Sequence, residues 1–331
     1  MSIIISLSKN NCKVDKRVRK IGEWLLKIIV FIVAWGYVVY QFMTMEQDVS
    51  VIFAEEHFSF CFFLIVCALL FVNWGLEAKK WQFLVNRNQS ISYAKAVSGV
   101  LVGLPLALIT PNRIGEIGGR AIVLEKGYKE AVFATFLGSL MQFSATILFG
   151  VFGVVFYLVF LPHTQAVESA SLISLCVIFS LIIVVFLCKN QRWLKFLFLR
   201  VIGKTFYRKL MQMVHIYNAN DIVKALTVSL LRYCIFSSQF LIMISMLIPE
   251  LSFVEMFVGI TLTYLFTTII PTSVLGEIGI RGSVAMFIFE AFTPKVVIIF
   301  QISLLIWIIN IVVPTLAGSL ILLNVRKQKR G

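Results

Sequence analysis

The sequence contains the hexapeptide GEIGGR at residues 115–120 and a second copy, GEIGIR, at residues 276–281. Each copy lies in a long apolar stretch, residues 94–124 for the first and residues 253–292 for the second. A proline interrupts each stretch near its middle, and proline breaks the interior of an α-helix. Each stretch is therefore predicted to form a broken helix, or a helical hairpin, that carries a glutamate and an arginine.

The composition places these stretches in a membrane. Hydrophobic residues make up 60% of the chain and charged residues 14%, and the mean hydropathy is +0.94. A soluble domain of this size needs more polar surface than such a composition supplies. The predicted fold is an all-α polytopic membrane helix bundle with two broken or re-entrant hairpins and about six full spans. The runs that approach or exceed the roughly 18–20 apolar residues of a span are 23–42, 59–76, 132–159, 171–188, 226–248 and 296–323.

Charges between the spans predict the orientation. Residues 77–93 contain three basic residues, among them Lys80, whereas residues 43–58 contain four carboxylates and no basic residue. The segment 189–224 and the tail 326–331 are strongly basic. Basic loops stay on the cytoplasmic side, so both termini are predicted to be cytoplasmic, with the protein in a bacterial cytoplasmic (inner) membrane. The same rule explains the net charge of +14 without a nucleic acid partner.

The two hexapeptides also define an internal repeat. The offset between them carries the second predicted span close to the fifth, and the third close to the sixth. The loop charges make the first hairpin enter from the cytoplasm and the second from outside, which is an inverted repeat typical of transporters. The arms of the first hairpin are too short to cross a bilayer, whereas the second is either re-entrant or fully spanning.

The predicted organisation follows from this repeat. Aromatic and basic residues interleave in segment 189–224, which fits either an interfacial cytoplasmic helix or an ordinary loop. The predicted units are a basic cytoplasmic N-terminal segment (1–22), a first membrane repeat (23–160) with hairpin 94–124, a second membrane repeat (161–325) with hairpin 253–292, and a basic cytoplasmic tail (326–331).

Charged residues inside these stretches have two interpretations. An ionised side chain in a bilayer costs on the order of 2.5–3.5 kcal/mol unless it is paired or hydrated. Glu116 and Arg120 are spaced i, i+4, as are Glu277 and Arg281, so on a helix each pair can neutralise itself. The first interpretation is that these ion pairs only lock the hairpins. The motif glycines, which permit close helix packing, are Gly115, Gly118, Gly276 and Gly279.

The second interpretation is a site for an anion. Pro111 and Pro271 suit the first position of a helix, whose free N–H groups attract anions. Thr110, Thr272 and Ser273 are candidate caps. If Glu290 is counted as buried, the membrane-depth segments contain four arginines and three glutamates. This excess of positive charge favours a phosphate-bearing headgroup over a cation as the ligand. The predicted substrate-binding residues are Arg113, Glu116, Arg120, Arg232, Glu277 and Arg281.

Two elements of the sequence resemble a known family. Residues 111–116 (PNRIGE) followed by Arg120 are similar to the PGRxGE…R element of the flippase-like transmembrane domain of lysylphosphatidylglycerol synthetase/flippase proteins. Pro271 and residues 276–281 resemble that family's later P…GGLGxRE element. The likeness extends over about residues 20–325, and it implies a bundle with re-entrant helices that moves polar lipids between leaflets. The departures from the family pattern are Asn112, Leu275, Glu277 and Gly282.

Three functions are compatible with these features. The leading hypothesis is a lipid flippase-like transporter whose partners are membrane lipids with an anionic or zwitterionic headgroup. The alternatives are an accessory or scaffold subunit of an envelope-lipid pathway, and an intramembrane lipid-modifying enzyme. An enzyme needs a nucleophile–base pair or a metal triad, and the membrane-depth segments contain no His or Asp.

The chain is therefore expected not to be an enzyme, and no cofactor is predicted. The soluble aminoacyl-transfer domain of the full-length synthetases has no counterpart in the sequence, so lysyl-lipid synthesis is not expected. The six cysteines form no CxxC pair and the three histidines fall in separate loops. No metal site is predicted from them.

Overall fold

The computed structural model describes residues 58–110, 113–124, 126–160, 216–270 and 274–328, together with Gly36. Helices joined by short turns make up these residues. A 3₁₀ turn spans Arg120–Val123, and a π-helical segment spans Ile308–Val312. The α-helices are α1 (Phe60–Val85), α2 (Tyr93–Ile109), α3 (Ile114–Gly119), α4 (Tyr128–Phe160), α5 (Ala219–Leu247), α6 (Phe253–Ile269), α7 (Val274–Phe289), α8 (Val296–Trp307) and α9 (Val313–Gln328).

Four helical stretches are long and apolar enough to cross a membrane: Phe60–Val85, Tyr128–Phe160, Ala219–Leu247 and Val296–Asn324. They correspond to four of the predicted spans, and their exposed faces carry large apolar side chains such as Phe71. The prediction of an all-α membrane bundle is confirmed. Apart from Gly36, the predicted spans 23–42 and 171–188 lie outside the described residues, so the total span number stays a prediction. The N-terminal segment, Pro111, Pro271 and most of segment 189–224 also lie outside them.

Polar side chains fix where several helices begin. Ser92 precedes α2, and its side chain accepts a hydrogen bond from the Lys95 N–H. A reciprocal capping box between Asn218 and Asp221 starts α5, and α6 starts in the same way. Such caps satisfy N–H groups that have no partner within the helix. They fix the starts of α2 and α6, where polar residues precede each apolar stretch.

The repeat is visible in the order of the helices. The offset between the two hexapeptides carries the starts of α1, α2 and α3 to within a few residues of the starts of α5, α6 and α7. In each half a long helix is followed by a helix that ends at a break, and a second helix then begins with the GEIG motif. The opposite orientation of the two halves in a bilayer stays a prediction.

Close packing between helices depends on glycine at two points. A methyl group added at Gly115 of α3 would lie 2.1 Å from the carbonyl oxygen of Leu106 in α2. At Gly318 of α9 the added methyl would lie 1.9 Å from the carbonyl oxygen of Leu101, also in α2. Both distances are far inside van der Waals contact, so α3 and α9 approach the α2 backbone only because these residues have no side chain.

Gly115→Ala and Gly318→Ala are each expected to lower the free energy of unfolding by about 1–3 kcal/mol, because the helices must move apart. Thermal unfolding of the purified protein in detergent measures this. The matched control is Gly138→Ala in α4, where the added methyl would lie 3.4 Å from the Leu84 side chain, an ordinary contact. The control should be neutral or stabilising, because alanine favours helix by about 1 kcal/mol over glycine. Equal melting temperatures for all three variants would contradict the close approach.

Two predicted placements are wrong. Helix α1 continues to Val85, so the predicted span 59–76 is too short and residues 77–85 are not a cytoplasmic loop. Lys80 is 1% exposed because it pairs with Glu77, one turn earlier on the same helix. Glu290, counted as buried, is exposed in the turn after α7.

Candidate functional site

A cavity of about 500 Å³ lies among α1, α3, α4, α5 and the break of the second hairpin. Its wall combines the charged residues of α1 and of the first hexapeptide with polar and apolar side chains of α4. Thr268 at the end of α6 and Ile311 of the π-helical segment complete it. The charged lining residues are Glu77, Lys80, Arg113, Glu116, Arg120 and Arg232.

Glu77 is the carboxylate that connects three cations of this wall. Its Oε1 accepts a hydrogen bond from Arg120 Nη1 at 2.7 Å. Its Oε2 lies 2.8 Å from Lys80 Nζ and 3.1 Å from Arg232 Nη1. The sequence did not identify Glu77 and Lys80 as site residues. The span 59–76 was predicted to end before these charged residues, which placed them in a loop.

Helix α1 presents its polar residues on one face. Asn73, Glu77 and Lys80 are spaced i, i+4, i+7, so they follow one stripe of the helix. Leu70 belongs to an apolar core shared with α5, α6, α7 and α8, and Trp81 to a second apolar core with α2 and α4. The polar stripe therefore lies between two apolar clusters, where the spacing alone could have identified it.

The first hexapeptide forms the short helix α3 and presents its charges to Glu77. Glu116 pairs with Arg120, as the i, i+4 spacing predicts. Arg113 precedes α3 in the left-handed region, with φ of 56°, which is uncommon for a non-glycine residue. Arg113 occupies the N-cap position of α3 and makes no side-chain cap, whereas the candidate cap Thr110 lies three residues earlier and its Oγ1 accepts a hydrogen bond from the Gly115 N–H at 2.6 Å.

The second hexapeptide makes the corresponding pair and contacts the first. Arg281 Nη2 lies 3.1 Å from Glu277 Oε1, and the same oxygen lies 3.5 Å from Arg113 Nη1. Arg113 is also 3.8 Å from Glu116, so it lies between the acidic residues of the two copies. Among the residues that the structure describes, Glu277 and Arg281 do not line the cavity, and Arg113 connects Glu277 to it.

The predicted motif glycines differ in their surroundings. An added methyl at Gly118 would lie 2.9 Å from the Tyr128 hydroxyl, and Gly279 is buried in α7. Gly276 begins the second motif inside α7, but its surroundings lie outside the described part of the chain, as do the candidate caps Thr272 and Ser273.

A chain of buried hydrogen bonds extends from the cavity into the bundle. Arg232 Nε donates to Asn73 Oδ1 at 2.9 Å, and Asn73 Nδ2 donates to Asn310 Oδ1 at 2.8 Å. Asn310 Nδ2 then donates to Gln239 Oε1 at 2.9 Å. The chain fixes the Arg232 guanidinium, which also lies 5.2 Å from the ring of Trp74. Single amides in apolar runs gave no sequence pattern from which this network could be predicted.

A second, apolar cavity of about 320 Å³ lies beside the first, between α1, α2 and the start of α9. Trp74 lines both cavities. Its indole Nε1 donates to the Asn310 carbonyl at 3.0 Å, which fixes the ring between them. The remaining wall of the second cavity is apolar apart from the Tyr93 hydroxyl, so Trp74 contributes to the walls of both a polar and an apolar space.

The charge balance of the polar cavity favours anions. Four cations and two carboxylates line it, so the described wall has an excess of two positive charges. Arginine is suited to phosphate and carboxylate because its planar donors bind two oxygens at once. The cavity can therefore bind an anionic group inside the helical bundle.

The helices and the buried charges define a multi-pass membrane protein with a polar site inside a helical bundle. Residues 24–318 match the family model of the lysylphosphatidylglycerol synthase TM region, and the chain belongs to this family. The resemblance stated from residues 111–120 and 271–281 is thereby confirmed. No protein with a curated description matches the sequence.

Proposed function

We propose that this protein moves a phosphate-bearing lipid between the two leaflets of its membrane and catalyses no chemical change in it. One observation carries the proposal: a positively charged cavity and an apolar cavity share a lining side chain, Trp74. A lipid has the same two parts joined in the same way. Membership of a family named for a lipid synthase supports a lipid as the substrate.

The headgroup would occupy the polar cavity. Arg113 and Arg120 would bind the phosphate oxygens, and Lys80 and Arg232 would add positive charge from α1 and α5. A charged group that crosses hydrocarbon without partners meets a barrier of at least several kcal/mol. Buried cations lower this barrier because they replace part of the hydration that the phosphate loses.

The acyl chains would stay in apolar surroundings. The cavity lined by Leu70, Val97 and Pro314 can hold part of one chain beside the headgroup. The rest of the lipid would remain in the bilayer. This division means that only the headgroup needs a polar path through the protein.

The two halves would be coupled through Arg113. This residue contacts Glu116 of the first motif and Glu277 of the second. A phosphate that binds Arg113 competes with both carboxylates, and this weakens the link between the hairpins. Ligand binding could thus shift the equilibrium between states open to either leaflet. Glu116 and Glu277 are the proposed groups that tune the arginines or take up a coupling proton.

The proposal is tested by reconstitution into liposomes with fluorescent phospholipids and a dithionite quench. Translocation should be faster than in empty liposomes for at least one phosphate-bearing lipid. Arg120→Ala should reduce the rate about tenfold or more, because it removes a buried cation in the cavity wall. Arg281→Ala should reduce it through Glu277, and Lys79→Ala, which alters an exposed residue on α1, should not. Rates equal to empty liposomes for all headgroups would refute lipid transport.

Two further variants test the scaffold alternative. Glu116→Gln and Glu277→Gln change charge at the motif without adding bulk. If both keep wild-type growth phenotypes in cells while the purified protein translocates nothing, the motifs are structural and the scaffold function is favoured.

A further inference from the structure

The cavity contains arginine donors that the protein itself does not use. Arg113 lies 3.5 and 3.8 Å from its nearest carboxylate oxygens, beyond the usual 2.7–3.2 Å of a hydrogen bond. The Nε atoms of Arg113 and Arg120 are buried and have no hydrogen-bond partner among the described residues. Arg120 itself is only 3% exposed. Buried donors are normally paired, so these guanidiniums are not fully satisfied by the described residues. The Arg113 side chain is 31% exposed at the cavity wall, and its loosely paired donors there suit a ligand with several acceptor oxygens.

The charge of that ligand follows from the surrounding charges. The described wall has an excess of two positive charges, from Lys80, Arg113, Arg120 and Arg232 against Glu77 and Glu116. The neighbouring pair of Glu277 and Arg281 adds one charge of each sign, so the excess stays the same when the second motif is included. A ligand with two negative charges would balance it.

Lipid headgroups differ in their net charge at neutral pH. A phosphomonoester carries about 1.5 to 2 negative charges at neutral pH and three acceptor oxygens. A phosphodiester lipid such as phosphatidylglycerol carries one negative charge, and phosphatidylcholine is neutral overall. An aminoacylated, cationic headgroup would be repelled by the excess positive charge.

We propose that the cavity is selective for a lipid whose headgroup is a terminal phosphomonoester. Arg113 and Arg120 are assigned to the phosphate oxygens, and Arg113 is assigned as the main specificity-determining residue, since it is the least committed cation of the wall. The binding preference rests on the geometry and charge of the cavity alone. The statement that the preferred lipid is also the transported one rests on the proposed function.

The assignment of a lipid as the ligand comes from the apolar cavity, which shares the lining residue Trp74 with the polar cavity. Soluble phosphate esters share the charge of the headgroup and have no chain to place there. A soluble ester is therefore expected to bind the same arginines with lower affinity than a lipid.

Binding is measured with the full-length protein in detergent, by displacement of a fluorescent phosphatidic acid. The competitors are unlabelled phosphatidic acid, phosphatidylglycerol, phosphatidylcholine, inorganic phosphate and glycerol 3-phosphate. Phosphatidic acid should compete at least about tenfold better than phosphatidylglycerol, which corresponds to a difference of about 1.4 kcal/mol. The two soluble phosphates should compete only at much higher concentration. Phosphatidylglycerol or phosphatidylcholine that competes equally well overturns the headgroup assignment, and a soluble phosphate that competes equally well overturns the assignment to a lipid.

Substitutions in the cavity wall test whether the preference for phosphatidic acid depends on the cavity. Arg113→Gln should reduce the preference for phosphatidic acid to below about threefold, whereas Lys79→Gln, on the exposed side of α1, should preserve it. Glu116→Gln raises the excess to three positive charges and should strengthen phosphatidic acid binding, a gain that misfolding cannot produce. A preference that survives Arg113→Gln together with an unchanged affinity in Glu116→Gln refutes the inference.

Translocation of the same lipids in liposomes separates this inference from the proposed function. Preferential binding of phosphatidic acid without translocation of any lipid refutes transport and supports the binding site. Translocation at equal rates for all headgroups, with equal binding, supports transport and refutes the selectivity.

Discussion

Glu77→Ala is expected to lower the free energy of unfolding by about 3–5 kcal/mol, the usual cost when one partner of a buried ion cluster is removed. Lys80 loses its ion-pair partner on α1, and Arg232 loses the charge that balances its guanidinium. Arg120 keeps Glu116 as a partner. Thermal or denaturant unfolding in detergent measures the loss, which also predicts a lower yield of folded protein.

The control for this variant is Glu130→Ala, in the first turn of α4. It removes a carboxylate that lies outside the cavity wall, and the expected cost is below about 1 kcal/mol, as for other charges at a helix N-terminus. Combining Glu77→Ala with Lys80→Met should recover part of the loss, because fewer cations remain unbalanced. The resulting coupling energy is expected in the range of about 0.5–3 kcal/mol. Strict additivity of the two changes would contradict a direct interaction between Glu77 and Lys80.

Lys80→Met is expected to reduce lipid translocation about tenfold while leaving the unfolding free energy within about 1 kcal/mol of wild type. The cavity excess falls from two positive charges to one, which weakens phosphate binding. Stability changes little because Glu77 keeps Arg120 and Arg232 as partners, so the substitution leaves no unpaired buried carboxylate.

The neighbouring lysine provides the matched control. Lys79 is exposed and its Nζ donates to Gln82 on the same helix, so Lys79→Met removes the same charge one residue away, outside the cavity. Its translocation rate should equal that of wild type. If Lys79→Met and Lys80→Met reduce translocation equally, the effect comes from the total charge near the membrane surface and the cavity has no specific role.

The overall fold was predictable from the sequence because bilayer spans need long apolar runs. The helices Tyr128–Phe160 and Ala219–Leu247 correspond to predicted runs within a few residues at most ends. The breaks after Ile109 and Ile269 follow from proline in the chain. The ion pairs of the two hexapeptides were predictable from i, i+4 spacing alone, since spacing on a helix determines which side chains meet.

The rest of the site depends on contacts between distant segments. The spacing of Glu116 and Arg120 does not reveal Glu77, which is supplied by another helix. The sequence predicts Lys80 in a cytoplasmic loop because residues 77–93 contain three basic residues, and basic loops stay on that side. Only the three-dimensional arrangement shows that its charge is balanced. The Asn73–Asn310 hydrogen bond likewise joins residues more than two hundred positions apart.

The π-helical segment Ile308–Val312 has a consequence for the angular phase of the last span. A π turn contains about one more residue than an α turn, and each residue of an α-helix advances by about 100°. Helix α8 therefore faces α5 and α7, while α9, rotated by this offset, faces α2. Deleting one residue from the segment would turn Gly318 away from Leu101 without altering either helix internally. One membrane-crossing stretch thus packs against helices in two directions, and its π turn keeps both interfaces in register.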